Sequence, residues 1–259
     1  MPRSTRTLTR RRRRLLPAAV AGVALLAGAS CSSGGDDVTL PVFTAASLAD
    51  TFEQLAETFE AEHEGVTVEI VAAGSSTLIS QIEAGDDAAV LATADEESMA
   101  NATEAGLVGD ATGIARNQLV LVTPAGNPAG VTGLDASLDG ANLVVCAPQV
   151  PCGRASLELA DLLGITIDPV SEEQSVTDVL AKVTSGEAGV GLVYTTDAQR
   201  AGDDVEVIDV PEAVEAYVAP QIATVTGSDQ QDLANEFIEL VAGQVGQDAL
   251  AEAGFAPAE

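Results

Sequence analysis

The sequence has no tryptophan, one histidine and three cysteines, and only 11 of its 259 residues are lysine or arginine. Each shortage excludes something. With aromatics at 3% of the chain, a core must be built from Val, Leu, Ile and Ala. His63 lies in Glu60-Ala-Glu-His-Glu-Gly65, at the polar end of a helical segment. There it reads as a solvated or helix-capping residue rather than a general base. One histidine and three cysteines do not make a metal-ligand cluster, and no Gly-x-Ser-x-Gly elbow occurs. Basic residues are scarcer than the total suggests. Seven of them precede Cys31; only Arg116, Arg154, Lys182 and Arg200 follow it, together with all 40 acidic residues. Four positive against 40 negative groups give this part a formal charge of −36. Such a surface repels nucleic acid, which excludes that class of partner, and it favours solubility.

The basic residues that are present concentrate at the N-terminus. Arg3, Arg6 and the run from Arg10 to Arg14 precede a short apolar stretch, Leu15 to Ala29, and then Cys31. That is the layout of an export signal, too short for a membrane span. Leu26-Ala-Gly-Ala-Ser-Cys31 resembles a bacterial lipobox, with Gly28 where Leu is usual. The reading is a signal peptide over 1–30 and lipidation of Cys31. A flexible tether over 31–37 would hold the protein at the outer face of the cytoplasmic membrane. The arginines are compatible with either the general secretory or the twin-arginine route. Cys146 and Cys152, in Cys-Ala-Pro-Gln-Val-Pro-Cys, form a close pair; outside the cytoplasm a disulfide is expected, with a metal site the weaker alternative.

Beyond the tether, strand-like and helix-like segments alternate. Val38 to Phe43, Val66 to Val71 and Ala89 to Ala92 read as strands. Between them Leu48, Phe52, Leu55 and Phe59 recur at helical spacing, as do Leu78, Ile79 and Ile82. Later strands are expected at Leu119 to Val122, Leu143 to Val145, Gly189 to Tyr194, Val205 to Val210 and Tyr217 to Val225. Helices are expected around Leu157, Leu159, Leu162 and Leu163, around Val176, Val179, Leu180 and Val183, and from Leu233 onward. The β-α-β order implies an α/β fold of mostly parallel, doubly wound sheets with helices on both faces. Pro124, Gly126, Pro128 and Gly130 mark a candidate crossing between two lobes. Lobe 1 is then 38–122 plus 223–259, and lobe 2 is 123–222.

Ligands of such sheets sit where strand ends run into helix starts. Three of these junctions are rich in hydroxyls: Phe43-Thr-Ala-Ala-Ser47-Leu48, Ala72-Ala-Gly-Ser75-Ser76-Thr77-Leu78, and Gln174-Ser175-Val176-Thr177-Asp178. Each offers free N–H groups at the positive end of a helix dipole, and Ser47 and Ser75 add hydroxyl donors. Any one could be an ordinary helix cap. Together, in a chain with almost no cations, they point to an anion site made of neutral donors. A site of donors alone suits a fully deprotonated dianion such as molybdate or sulfate. Monohydrogen phosphate carries a proton that needs an acceptor.

These segments, with Gln81-Ile-Glu-Ala-Gly85, Ala94-Asp95, Val150-Pro-Cys-Gly153, Gly191-Leu-Val-Tyr194 and Ala253-Gly-Phe255, resemble the molybdate-binding proteins of ABC importers, in order and over nearly the whole exported part. The resemblance implies a type II periplasmic-binding-protein fold with the ion between two lobes. It implies that Ser47 and Ser75 donate hydroxyls, that Cys152 and Val176 donate backbone amides, and that the Tyr194 hydroxyl completes the shell. Molybdenum would be bound only as its oxyanion, with tungstate an equivalent ligand, and no cofactor is implied. The implied partners are the importer's permease and ATPase, with the protein itself a monomer. Asp87-Ala-Ala89 departs from the family's Pro-Ala-Asp, and Cys152 replaces a small residue. Other readings are a binder of sulfate or another tetrahedral oxyanion, a secreted hydrolase working with carboxylates alone, or a structural surface lipoprotein; an enzyme is not expected.

Overall fold

The computed structural model describes residues 38–258. The signal peptide, tether and Cys31 lipidation expected from the sequence fall on residues outside those described. No helix among the described residues is long and apolar enough to cross a membrane.

Strand β1 (Val38–Ala45) passes through a 3-10 turn, Ala46–Leu48, into α1 (Ala49–Glu62). β2 (Val66–Ala73), α2 (Ser75–Ala84), β3 (Val90–Thr93) and α3 (Glu96–Glu104) repeat the pattern. After the short β4 (Thr112–Gly113) come β5 (Leu119–Pro124), β6 (Leu143–Cys146), α4 (Pro151–Leu163), β7 (Ser171–Glu173) and α5 (Val176–Thr184). Then follow β8 (Val190–Tyr194), α6 (Thr195–Ala201), β9 (Val205–Ile208), β10 (Gln221–Thr224), α7 (Gln231–Ala242) and α8 (Gln244–Glu252).

The strands form two five-stranded sheets, ordered β2-β1-β3-β10-β4 and β7-β6-β8-β5-β9. Each is mixed. β1 lies parallel to β2 and β3, and β6 parallel to β7 and β8. The antiparallel strands are β10, against β3 and β4, and β5, against β8 and β9. β5 and β10 are the strands the chain enters after crossing between sheets. β5 is therefore part of the second sheet, so the crossing precedes Leu119 and does not follow Val122. The return precedes Gln221, not residue 223. The Pro/Gly-rich stretch instead makes a surface turn, with Asn127, Gly126 and Gly130 at positive φ. Such residues mark a chain reversal wherever it occurs, whereas the true crossings are extended backbone. They are pinned to each other where Asn117 and Val218 exchange hydrogen bonds at 2.9 and 2.8 Å.

The strands are buried on both faces, and their side chains alternate between two cores with the strand period of two. Leu40, Val42, Val90 and Ala92 face one core of the first sheet, under α1, α7 and α8, while Phe43 and Leu91 face the other, under α2 and α3. Phe52, Phe59 and Phe237 supply the bulk of the first core, packed edge to face at 5.4–6.0 Å. The second sheet has its own core, rich in valine and leucine. On α4 the Leu159 side chain is buried, but Leu157 and Leu162 are exposed. The strand expected over Tyr217 to Val225 is regular only over Gln221–Thr224, and the one at Val205 stops at Ile208. His63 ends α1, with Nδ1 2.8 Å from the Phe59 carbonyl and Nε2 2.8 Å from Glu236, a capping role.

Candidate anion-binding site

The carboxyl ends of the strands in both sheets point at a common seam, and the seam holds a small cavity. Ser47, Ser75, Cys152, Val176 and Tyr194 all line it, with Ala45, Ala46, Gly74, Ala94, Val150 and Ser175. Its volume is about 20 Å³. Sites for drug-sized organic ligands run to roughly 300–1,000 Å³, far larger than this space.

Four helical starts converge there. Ser47 lies inside the 3-10 turn that opens α1; Ala45 is the cap residue, and no side chain caps that turn. Ser75 is the first residue of α2, after a Gly74 cap that has no side chain. Neither serine is therefore an N-cap. Ser175 is one: its hydroxyl accepts from the Asp178 amide at 3.2 Å and donates to Asp178 Oδ2 at 2.7 Å. Cys152 and Val176 stand in the first turns of α4 and α5, where amides have no intrahelical acceptor.

The hydroxyls are set up to donate. Ser75 is 1% exposed, and its Oγ accepts from the Ala94 amide at 3.0 Å. That bond occupies a lone pair and leaves the hydroxyl hydrogen for another acceptor. Tyr194 is 1% exposed, and its hydroxyl has no hydrogen-bond partner among the described residues. A buried phenol hydroxyl left unpaired costs about 1–3 kcal/mol. Burial, then the nearby Asp95 and Asp197, push its pKa well above the usual 10, so it stays a protonated donor.

Among the described residues, no basic side chain lines the cavity. Arg116 stacks over the Tyr217 ring, Lys182 pairs with Glu173, Arg200 with Asp197 and Asp50, and Arg154 with Asp95. The Asp197 carboxyl, buried beside Tyr194, is raised to about 7, chiefly by burial and against the pull of Arg200. Arg154, which directly follows the Val150–Gly153 segment, does not line the cavity.

The two halves meet closely around this point. A Cβ on Gly74 would overlap the Gln174 carbonyl oxygen, so only glycine allows that approach. Ser76 Oγ donates across to the Gln149 carbonyl at 3.1 Å. Cys146 and Cys152 are joined by a disulfide that closes the loop carrying Gln149. A Cβ on Gly153 would overlap the Ala147 carbonyl of that loop. The Ala94 amide, the Gly74 approach and the Arg154 ion pair were not read from sequence. Only Ala94-Asp95 and the glycine before Ser75 hinted at them.

The chain matches the model of the bacterial extracellular solute-binding proteins over residues 40–256. It is 42% identical over 220 residues to the molybdate-binding protein ModA of Mycobacterium tuberculosis, covering 84% of each chain. Among solved structures it resembles the periplasmic molybdate-binding protein of Azotobacter vinelandii, with a TM-score of 0.73, 23% identity, and 84% and 98% of the two chains covered. It also resembles the sulfate-binding protein SubI of M. tuberculosis, with a TM-score of 0.70, 21% identity, and 86% and 88% covered. At those identities the structures speak for the fold alone. The match over almost all of the described residues settles the family: the chain belongs to the bacterial extracellular solute-binding proteins.

Proposed function

We propose that the protein captures molybdate, and equally tungstate, outside the cytoplasmic membrane and hands it to the permease and ATPase of an ABC importer. The observation that carries the reading is that Tyr194, whose buried hydroxyl has no partner among the described residues, lines one cavity with Ser47 and Ser75, and that no charged residue among those described lines it. The kinship with ModA supports molybdate as the ion.

The chemistry is that of exchange. A dianion leaving water loses its hydration shell and regains hydrogen bonds from fixed donors. Ser47, Ser75 and Tyr194 offer O–H groups; Cys152 and Val176 offer amides at helix starts, where the dipole favours negative charge. Because these donors are neutral, the empty site holds no buried unpaired cation. No side chain in this set is arranged as nucleophile and base, and the protein acts as a binder. Sulfate has the same shape and charge and is smaller, so it is the competing ion.

The reading separates the two serines. Ser47→Ala removes only a ligand donor, so it should weaken molybdate binding about ten- to a hundred-fold with little change in melting temperature. Ser75→Ala also leaves the buried Ala94 amide without its acceptor, so it should lose affinity and about 1–3 kcal/mol of stability. Calorimetry and thermal melts on both variants check this; wild-type affinity in both would refute the site.

Export and anchoring through Cys31 belong to the same proposal. Mass spectrometry of membrane-extracted protein should find a lipid-modified peptide beginning at Cys31. An unmodified Cys31 would contradict the anchor without touching the binding site.

A further inference from the structure

Among the described residues, Arg154 makes more polar contacts than Arg116, Lys182 or Arg200, and they lie at the seam between the halves. Its Nη2 donates to Asp95 Oδ2 at 2.6 Å and to Ser98 Oγ at 2.8 Å; Nε donates to the same carboxylate oxygen at 3.1 Å. Nη1 donates to the Gln149 carbonyl at 2.8 Å, and Glu97 lies 3.2 Å from Nε. Arg154 belongs to α4, packed on the second sheet. Asp95, Glu97 and Ser98 form the corner between β3 and α3 on the first. Gln149 also accepts from Ser76, at the start of α2. The guanidinium thus ties the disulfide-closed loop and α4 to the opposite half at one point.

That point adjoins the cavity without entering it. Asp95 follows Ala94, whose amide is held by Ser75, and Arg154 follows the Cys152-Gly153 turn; Arg154 itself does not line the cavity. Both halves are acidic, so bringing them together opposes like charges. A planar fork of donors suits a carboxylate in such a place. The pair is also sheltered, with the Arg154 and Asp95 side chains 21% and 11% exposed, so salt screens it weakly. Among the described residues Arg200 also reaches across the seam, to Asp50, but that pair is 3.7 Å long with Asp50 58% exposed, and contributes little.

We propose that Arg154 is a positioning residue: a latch that holds the two halves closed over the bound oxyanion and sets how slowly it leaves, without selecting which oxyanion binds. The proposal rests on the oxyanion reading above. The contacts exist only when the halves are together, so their free energy favours the closed form and reaches every ligand equally.

The test is stopped-flow release of molybdate and of tungstate, with calorimetric affinities. The proteins are wild type, Arg154→Met, Arg154→Lys, Asp95→Asn and the Arg154→Met/Asp95→Asn double variant. Asp95→Asn keeps an oxygen to cap α3, where Oδ1 accepts from the Ser98 amide at 2.9 Å, and loses the charge. Arg154→Met should release both ions about ten-fold faster, with association nearly unchanged. Arg154→Lys should recover part of the loss. Asp95→Asn should add little on top of Arg154→Met, because the pair acts as a unit. Wild-type release from a well-folded Arg154→Met protein would overturn the latch, as would additive losses. Unequal losses for the two ions would also overturn it, by placing Arg154 among the selecting groups. A wild type that binds neither ion would instead overturn the oxyanion reading, and the latch with it.

Discussion

At the scale of single residues, Tyr194 separates affinity from stability. Its ring belongs to the second core and Tyr194→Phe keeps that ring, so the ligand-free melting temperature should stay within the equivalent of about 1 kcal/mol of wild type. The same variant should bind molybdate roughly ten- to a hundred-fold more weakly. A fall in ligand-free stability, or unchanged affinity, would mean that the hydroxyl has another role. The five lining residues anticipated from sequence do share one cavity, because strand-to-helix junctions are where a doubly wound sheet must present its ends. What sequence did not reveal is which serine caps a helix and which does not. Ser175 does, while Ser75 spends its lone pair on Ala94, 19 positions away. A partner that distant depends on the register of β3 against β1, which no local pattern encodes.

At the scale of elements, the site is a meeting of helix starts, and glycine sets how near they come. Gly74 has ordinary dihedrals, φ −63 and ψ 139, so any residue could adopt its conformation. The requirement is space against the Gln174 carbonyl. Gly74→Ala should therefore leave each half folded and keep the halves from closing fully. We expect roughly ten-fold weaker molybdate binding, from about 1–3 kcal/mol of overlap in the closed form, and a nearly unchanged ligand-free melt. Calorimetry with differential scanning fluorimetry checks it; unchanged affinity would show that the approach is not needed for binding. The helices and strands themselves were largely legible. Leu48, Phe52, Leu55 and Phe59 recur at helical spacing and are all buried. The periodicity was less informative on α4, where Leu157 and Leu162 face solvent while Cys152, Ala155 and Leu159 are buried.

At the scale of the molecule, two sheets with separate cores are joined by extended crossings near Asn117 and Val218. Sequence breakers pointed to the wrong crossing, because prolines and glycines report turns and the real connections are strand-like. Charge acts at this scale as well. A body carrying −36 beyond Cys31 repels the dianion it is proposed to bind, so the affinity must come from short-range donors once the ion arrives. Association should accelerate as salt screens that repulsion. Calorimetric titration of the protein lacking residues 1–30 with molybdate, tungstate, sulfate and phosphate at one pH decides whether a cavity of neutral donors takes a compact dianion. The expected outcome is one molybdate per chain, tungstate indistinguishable from it, sulfate weaker and phosphate weakest. No heat with any of the four, or a preference for phosphate, would contradict it.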